Sequence, residues 1–350
     1  MKKLFLSMVA LVMATMSYAQ SKLVATLTHG EEITMYTGAS AFESAYNAAK
    51  SGDVITLSGG SFYGVTISKA VTIRGAGIDA TVPTQISSLE INIPESDTCR
   101  FSIEGVSITN ACYFYGSCSE PYFIKCQFFG VNFYDRDSWE DFWDGYYLSS
   151  SIKDATFVNC WIEKNLSIGG TTTAKFSHCF VYNYDNLPQY SSKAQFMNCV
   201  LRGTPLSWFK RSTFINSILE GRYDNVTENN RLPTETIAMN CVAYTRFEQY
   251  GKIEYYNEGN FFPYLDMQGS QIDCTVSTTE ELFKNTVTYD LNDEAKAKFL
   301  GTDGTEIGLY GGKYPYNSTP AYPRITKLNV AKQSTADDKL SVDIEVSAAE

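Results

Sequence analysis

A six-residue motif that recurs along the middle of the chain restricts the possible folds more than any other feature. Each copy begins with an apolar residue, usually Phe, and has Asn or a substitute at its third position and Cys or Ser at its fourth. Neighbouring copies start 34, 19, 20, 18 and 24 residues apart. A period of about 20 residues predicts a solenoid, in which each unit buries its apolar face against the next. The copies are FIKCQF (123–128), FVNCWI (157–162), FSHCFV (176–181), FMNCVL (196–201), FINSIL (214–219) and AMNCVA (238–243), with FSIEGV (101–106) as a weaker copy upstream.

The third position of the motif predicts a corner between two strands. Asn recurs there as Asn159, Asn198, Asn216 and Asn240, and His178 takes the same place in its copy. Asn tolerates the left-handed backbone that a tight corner needs. Side chains alternate along a strand, so the Phe and the Cys of each copy are expected to point inward. Stacked units of this kind predict an all-β fold, a right-handed parallel β-helix with like residues in ladders.

The same repeat accounts for most of the nine cysteines of the chain. Five of them fall on one internal ladder, where small buried thiols pack as apolar groups and stacked strands suit disulfide geometry poorly. Off the ladder, only the spacing of Cys112 and Cys118 suits a local disulfide, which is left open here. The ladder consists of Cys126, Cys160, Cys179, Cys199 and Cys241, with Ser217 in the same slot, and Cys99 and Cys274 also lie off it.

The residue after each ladder position is expected to point outward, yet it is apolar in five of six copies. An outward stripe of this kind is usually covered or forms an interaction surface. We expect the C-terminal tail or a long loop to cover it. Gln127 is the polar exception, and the stripe consists of Trp161, Phe180, Val200, Ile218 and Val242.

The two ends of the predicted solenoid carry their own signals. Ser40–Glu43 is a capping-box pattern that opens a short helix through Lys50, with Phe42, Ala45, Tyr46 and Ala49 on one face. Such a helix covers the first coil, as terminal repeats require. Beyond Pro315, the alternating segments ITKLNV and KLSVDIEV predict a β-hairpin tail around a Thr-Ala-Asp-Asp turn.

The first residues are typical of a cleaved signal peptide. Lys2 and Lys3 precede an apolar stretch over 4–16 and a small-residue cleavage site at 17–19. The apolar stretch is too short for a membrane span, and no Cys follows the cleavage site to accept a lipid anchor. The formal net charge of −11 disfavours nucleic acid. The prediction is a secreted, periplasmic or cell-surface protein with a signal peptide over 1–19, a capped β-helix domain over 20–316, and a linker with a hairpin tail over 317–350.

The opening of the solenoid, AFESAYNAAKSGDVITLSGGSFYG followed by ISKAVTIRGAG, resembles the N-terminal cap and first coils of the pectin-lyase-like β-helix superfamily. The segment GTDGTEIGLYGG (301–312) resembles its closing coil, and the likeness spans about residues 35–316. The resemblance implies the fold but not the activity, because the superfamily holds lyases, hydrolases, adhesins and structural proteins. The G-H-G, W-x-D-H and R-x-P-x-x-R patterns of its enzymes do not occur in this chain.

One coil carries an insertion of about 14 residues relative to the repeat, filled by YDRDSWEDFWDGYY over 134–147. Loops on a rigid scaffold often carry function. Aromatic rings among acids suit stacking on sugars with hydrogen bonds to hydroxyls, which makes Trp139, Trp143, Tyr146 and Tyr147 the candidate glycan-binding residues. The same acids also fit paired-carboxylate catalysis or a calcium site, and the whole loop also fits a structural role. The candidate catalytic residues are Asp135, Asp137, Glu140, Asp141 and Asp144, and the candidate calcium ligands are Asp135, Asp137 and Asp141.

These features predict an exported, non-catalytic glycan-binding or adhesin-like protein whose partner is a polysaccharide or a cell-surface glycan. No cofactor is required, although calcium fits the loop. The alternative is a polysaccharide lyase or glycoside hydrolase acting on an acidic or complex polysaccharide, and a second alternative is a structural surface protein. The aromatic segments Trp208–Arg211 and Tyr244–Tyr256 are weaker candidates for the same surface.

Overall fold

The computed structural model of the protein describes the solenoid, its N-terminal cap and most of the C-terminal segment. Among the described residues, no helix is long and apolar enough to cross a membrane. The predicted signal peptide and the predicted site loop over 134–147 lie outside the described residues, and the proposed domain limits stay predictions. The described residues are 23–114, 118, 120–133, 152–168, 173–182, 184–186, 193–204, 211–222, 236–249, 252–254, 270–272, 275–276, 282–330 and 342–347.

A β-hairpin that the sequence did not predict begins the fold. Strand β1 (Val24–His29) pairs antiparallel with β2 (Glu32–Thr37), and on its other side with β3 (Val54–Leu57), the first strand of the solenoid. The turn between β1 and β2 passes through Gly30, whose φ of 58° suits glycine. The hairpin therefore extends the first sheet beyond its first coil.

The predicted N-terminal helix is confirmed as α1 (Ala41–Ala48). It buries Phe42, Ala45 and Tyr46, the apolar face expected from the sequence. The predicted capping box is wrong, because the Ser40 side chain makes no capping hydrogen bond. Its backbone, at φ −92° and ψ 13°, lacks the extended conformation that normally aims an N-cap side chain at the helix.

The upstream coils contribute short strands to two sheets. Each coil supplies one strand to the first sheet, turns a corner, and then supplies one strand or two to the second sheet. These strands are β4 (Gly60–Phe62), β5 (Val65–Ile67), β6 (Thr72–Arg74), β7 (Thr84–Ile86), β8 (Leu89–Ile91), β9 (Ser102–Glu104), β10 (Ser107–Ile108), β11 (Cys112–Phe114), β12 (Tyr122–Ile124) and β13 (Gln127–Phe133).

The downstream coils, which carry the motif, continue both sheets. In the first sheet β3, β6, β9, β12, β14, β16, β19, β21, β23 and β26 are neighbours in that order and parallel, which confirms the predicted right-handed parallel β-helix. The remaining strands are β14 (Ala155–Val158), β15 (Trp161–Ile168), β16 (Thr173–Ser177), β17 (Phe180–Tyr182), β18 (Tyr184–Asn186), β19 (Lys193–Met197), β20 (Val200–Thr204), β21 (Thr213–Ile215), β22 (Ile218–Arg222), β23 (Ile237–Met239), β24 (Val242–Gln249), β25 (Lys252–Glu254), β26 (Ser270–Ile272) and β27 (Thr275–Val276).

The corner residues of the motif all adopt the left-handed backbone that the recurring Asn predicted, and Lys125, whose residue type did not predict it, adopts it too. Their φ angles lie between 49° and 53°. The weaker copy predicted at 101–106 is misplaced by two residues, because Ile103, not Phe101, pairs with Phe123; in that coil Gly105 therefore takes the corner place, at φ 68°. His178 is thus a corner residue like its Asn counterparts. The corner consists of Lys125, Asn159, His178, Asn198, Asn216 and Asn240.

Two inward ladders fill the motif-bearing coils. The Phe rings stack with centroids 4.7 to 5.1 Å apart and interplanar angles of 8 to 13°. The ladder cysteines are buried beside them. The thiols of the first four donate to backbone carbonyls of the preceding coil, as in the 3.5 Å contact from Cys160 Sγ to Phe123 O. The predicted packing role of these cysteines is confirmed. The Phe ladder consists of Phe123, Phe157, Phe176, Phe196 and Phe214.

The local disulfide considered for Cys112 and Cys118 does not form. Both residues are buried as thiols, and Cys112 faces the core from β11. Burial disfavours the thiolate, so it raises the pKa of the Cys118 thiol to about 12 and raises that of Cys112 further. Both cysteines are therefore core residues. Cys274 lies outside the described residues.

A C-terminal strap (residues 282–323) covers the outward apolar stripe. Phe180, Val200, Ile218 and Val242 are buried beneath it, and the half-buried Trp161 stacks on Phe180 with ring centroids 4.2 Å apart. The prediction that the stripe is covered is confirmed, and the described cover is the strap. It contains β28 (Phe283–Asn285), β29 (Asp290–Leu291) and α2 (Asp293–Lys298), and its buried side chains are Leu282, Phe283, Tyr289, Leu291, Ala295, Phe299, Ile307 and Leu309.

The segment 301–312, expected to form a closing coil, instead lies across the outside of the corner ladder. Its glycines let the backbone approach closely: a Cβ at Gly308 would lie 2.9 Å from Ile218 Cδ1. The strap runs back toward the N-terminal coils. Its contacts with the solenoid, in chain order, join Leu300 to Asn240, Thr302 and Gly308 to Asn216, Gly311 to His178, Thr319 to Lys125, Ala321 to Glu104, and Tyr322 to Gly75 and Glu104.

The predicted C-terminal hairpin is confirmed. Strand β30 (Arg324–Val330) pairs antiparallel with β31 (Val342–Ser347). The turn predicted between them lies outside the described residues.

Candidate functional site

The residues predicted to form the site cannot be placed, because the loop that carries them lies outside the described residues. The loop follows Phe133, the last residue of β13, and the described chain resumes at Ile152. The predicted catalytic, calcium and glycan-binding roles therefore stay predictions. The residues concerned are Asp135, Asp137, Trp139, Glu140, Asp141, Trp143, Asp144, Tyr146 and Tyr147.

The described structure has an open groove on the outer face of the second sheet. It lies across β7, β10, β13 and β15, so the strand that leads into the predicted loop also forms the floor of the groove. Its volume is about 220 Å³, below the roughly 300–1,000 Å³ of typical enclosed small-molecule pockets. A shallow groove of this size suits contact with part of a larger ligand. Its lining residues are Gln85, Ser107, Ile108, Thr109, Gln127, Phe129 and Glu163.

The groove lies where one outward-facing column of side chains changes from polar to apolar. The strand register aligns Ser61, Gln85, Ser107 and Gln127 with Trp161, the first residue of the apolar stripe. The strap packs on the apolar half of this column, because burying apolar surface is favourable and burying unpaired amides and hydroxyls is costly. The polar half is left accessible, and the groove occupies it.

Hydrogen bonds between successive coils hold the polar side chains of the column in place. Ser61 Oγ donates to Gln85 Oε1 at 2.8 Å, and Ser107 Oγ donates to Gln127 Oε1 at 3.1 Å. Gln127 Nε2 in turn donates to Glu163 Oε1 at 2.5 Å. Amides, hydroxyls and a carboxylate together present both donors and acceptors. A ligand rich in hydroxyl groups would match them.

An aromatic side chain forms one wall of the groove. Phe129 is 37% exposed, and the register of β13 against β15 shifts between Phe128 and Gly130. Such a bulge re-aims the side chain at its position, and bulges are common beside functional sites. The Lys164 ammonium lies 4.3 Å from the centroid of the Phe129 ring. The groove therefore combines one apolar surface with a row of polar groups.

The described lining of the groove carries one carboxylate. Glu163 is the one carboxylate among its described lining residues, whereas glycosidic hydrolysis needs two carboxyl groups roughly 5–10 Å apart. Nowhere in the described part of the chain do three or more His, Cys, Asp or Glu side chains gather to hold a metal ion. The groove's described residues thus supply recognition chemistry.

A second polar cluster on the same face has a structural role. The Arg202 guanidinium pairs with Glu220 at 2.5 Å and donates to the hydroxyl of Tyr289 in the strap. Glu220 and Tyr289 are buried, and the Tyr289 ring stacks on Phe180 at 4.7 Å. Burial raises the pKa of Tyr289 against the opposing effect of Arg202. This cluster fastens the strap to the solenoid.

Sequence reasoning missed every residue that lines the groove. The available signal was Gln127, the polar exception on the outward stripe, which marks where the strap stops covering the column. Of the weaker candidates, Trp208–Lys210 lie outside the described residues, as do the side chains of Tyr244–Tyr256. Comparisons of the chain with known protein families, characterised proteins and solved structures find no match.

Proposed function

We propose that the protein is an exported, non-catalytic glycan-binding or adhesin-like member of the pectin-lyase-like superfamily, and that it holds a polysaccharide at the groove of the second sheet. The observation that carries the proposal is the exposed Phe129 ring beside the inter-coil row of Gln127 and Glu163. The predicted signal peptide and the resemblance of residues 35–316 to the superfamily support the export and the family.

The chemistry of the groove matches a sugar ring better than it matches other ligand classes. A flat aromatic face accepts the CH face of a pyranose, while amide and carboxylate groups bond its hydroxyls. The net charge of −11 disfavours nucleic acid and other polyanions. The predicted glycan-binding residues Trp139 and Trp143 belong to the same proposal, because their rings suit the same stacking on sugars.

The test is retention of the purified protein on a panel of plant and host polysaccharides, with product release scored in parallel. We expect retention without products, and a loss of retention in Phe129→Ala. Tyr314→Ala is the matched control, because Tyr314 is also an exposed aromatic residue but lies outside the groove. Absence of retention on every polysaccharide would refute the proposal.

The loop and the enzymatic alternative are tested in the same assay. A loss of retention in Trp139→Ala or Trp143→Ala would support the predicted glycan-binding role of these two residues. Release of unsaturated or reducing-end products that Asp141→Asn abolishes would replace the binding proposal with a lyase or a hydrolase.

A further inference from the structure

Within the part of the chain that the structure describes, three of the four exposed aromatic side chains lie in one line on the outside of the solenoid. Among the described residues, the exposed aromatic residues are Tyr63, Phe129, Tyr182 and Tyr314. Each of the first three lies two residues along the chain from a member of the column that contains Gln85 and the apolar stripe. The register aligns Ser61, Gln85, Ser107, Gln127, Trp161 and Phe180. The residues two places further along the chain, one from each successive coil, are Tyr63, Ser87, Thr109, Phe129, Glu163 and Tyr182, and we call them the aromatic column.

We infer that the aromatic column binds a single extended, neutral polysaccharide chain that lies parallel to the solenoid axis. The inference rests on the proposed function and adds the ligand's class, direction and length. The groove is the centre of the site, and Tyr63 and Tyr182 are its two ends.

The strand spacing sets the length of ligand that fits. Neighbouring strands lie about 4.8 Å apart, so Tyr63 and Phe129, three strands apart, are separated by about 14 Å. Phe129 and Tyr182 are two strands apart, or about 10 Å. One pyranose unit lengthens an extended chain by nearly the same distance as one strand spacing. The three rings therefore match every second or third sugar of a chain with about six units.

The aromatic rings at the centre and at one end of the column are held in defined places. The Tyr182 ring lies against Gly203, where an added Cβ would approach Tyr182 Cε2 to 2.9 Å. The missing side chain of Gly203 thus makes room for this ring. At Phe129 the contact with Lys164 is an exposed cation–π contact on a flexible side chain, which a stacked sugar can displace.

The negative charge of the protein favours a neutral ligand over an acidic one. The described aromatic column carries one charged side chain, Glu163, and the Lys164 ammonium lies beside it. An acidic polysaccharide would bring many negative charges toward Glu163 and toward a protein of net charge −11. A neutral chain avoids this repulsion and still uses the hydroxyl-bonding groups of the groove.

The test is a series of neutral cello-, xylo- and manno-oligosaccharides from disaccharide to octasaccharide, titrated by calorimetry into the full protein. With the series that binds, we expect affinity to rise up to about six sugars and then to level off. Tyr63→Ala and Tyr182→Ala should each weaken octasaccharide binding at least about fivefold while leaving trisaccharide binding unchanged. Phe129→Ala should weaken both, and Tyr314→Ala neither. All four residues are exposed, so circular dichroism and thermal unfolding should match the wild type.

Each contrary outcome has a definite meaning. If Phe129→Ala weakens binding but Tyr63→Ala and Tyr182→Ala do not, the groove holds a short ligand, so the proposed function stands and the extended site is refuted. If polygalacturonate binds more tightly than every neutral chain, the neutral class is refuted. If no saccharide binds at any length, both proposals fall.

Discussion

Replacing Phe180 by alanine should detach the strap while leaving the solenoid intact. Phe180 is 4% exposed and lies between Trp161 at 4.2 Å and Tyr289 at 4.7 Å, with interplanar angles of 19° and 23°. Removing a buried Phe costs about 3–5 kcal/mol, through lost apolar burial and the cavity left behind. Because this ring packs in the core under the strap and not inside the coils, we expect the cost to fall on strap docking.

The matched control is Phe176→Ala, which removes the same group from the inner ladder. Phe176 is equally buried and stacks on neighbours at 4.8 Å on both sides. About 4 kcal/mol corresponds to roughly a thousandfold change in an opening equilibrium. Hydrogen exchange followed by mass spectrometry should show that change in Phe180→Ala at strap amides such as Gly308, which donates to Asn216 O at 2.9 Å. In Phe176→Ala the change should appear in β16 and β19. Identical exchange maps for the two variants would refute a separately docked strap.

Two further predictions concern the contact between the strap and the corner. Gly308→Ala should lower the unfolding temperature more than Gly304→Ala: both residues have φ near 80°, but only at Gly308 would the new Cβ clash, 2.9 Å from Ile218 Cδ1. Equal shifts in a thermal melt would show that close approach does not matter there. Burial lowers the pKa of His178, whose ring makes a 2.9 Å hydrogen bond with Gly311 O. The pKa of His178 in the folded state lies below the unfolded value of about 6.5, so the unfolded chain binds more protons than the folded chain. The stability that is present above about pH 6.5 is therefore lost as the pH falls toward the folded pKa. Denaturant titrations between about pH 8 and pH 5 should show this loss in the wild type and a smaller loss in His178→Asn, and matching profiles would contradict the assignment.

The repeat could be predicted from the sequence because its causes are local. An Asn at a corner, as at Asn198, needs no distant partner to show its preference for the left-handed backbone, and strand alternation then fixes which neighbours face inward. The predicted helix is confirmed for the same reason. Its apolar face depends on spacing alone, whereas the capping box at Ser40 depends on the backbone conformation with which the chain enters the helix.

The strap could not be predicted because its contacts lack a period. Phe180 meets Tyr289, and Asn216 meets Thr302, across separations that leave no repeating signal. The apolar stripe predicted that it is covered, but it did not identify the segment that covers it. The segment 301–312 resembles a closing coil in sequence, yet its Gly308 serves close approach to Ile218.

The groove could not be predicted because half of its lining residues lie in coils that lack the motif. Gln85 and Ser107 lie upstream of the cysteine ladder, so the sequence offers no Asn or Cys by which to align them with Gln127. Only the strand register places the three side chains in one column. Tyr63 joins Phe129 and Tyr182 in the same way, across coils of different length.

The return of the strap determines how the protein would bear a load. Tyr322 binds the backbone of Gly75, so the hairpin β30–β31 leaves the body of the protein beside its first coils and not beside its last. If the hairpin and β1 were pulled apart, the contacts of Tyr322 would be loaded first, and the other strap contacts would then be loaded and broken one after another. The first coils, which hold both β1 and Tyr322, would bear that force from the start, whereas the downstream coils would bear it only as the strap contacts break.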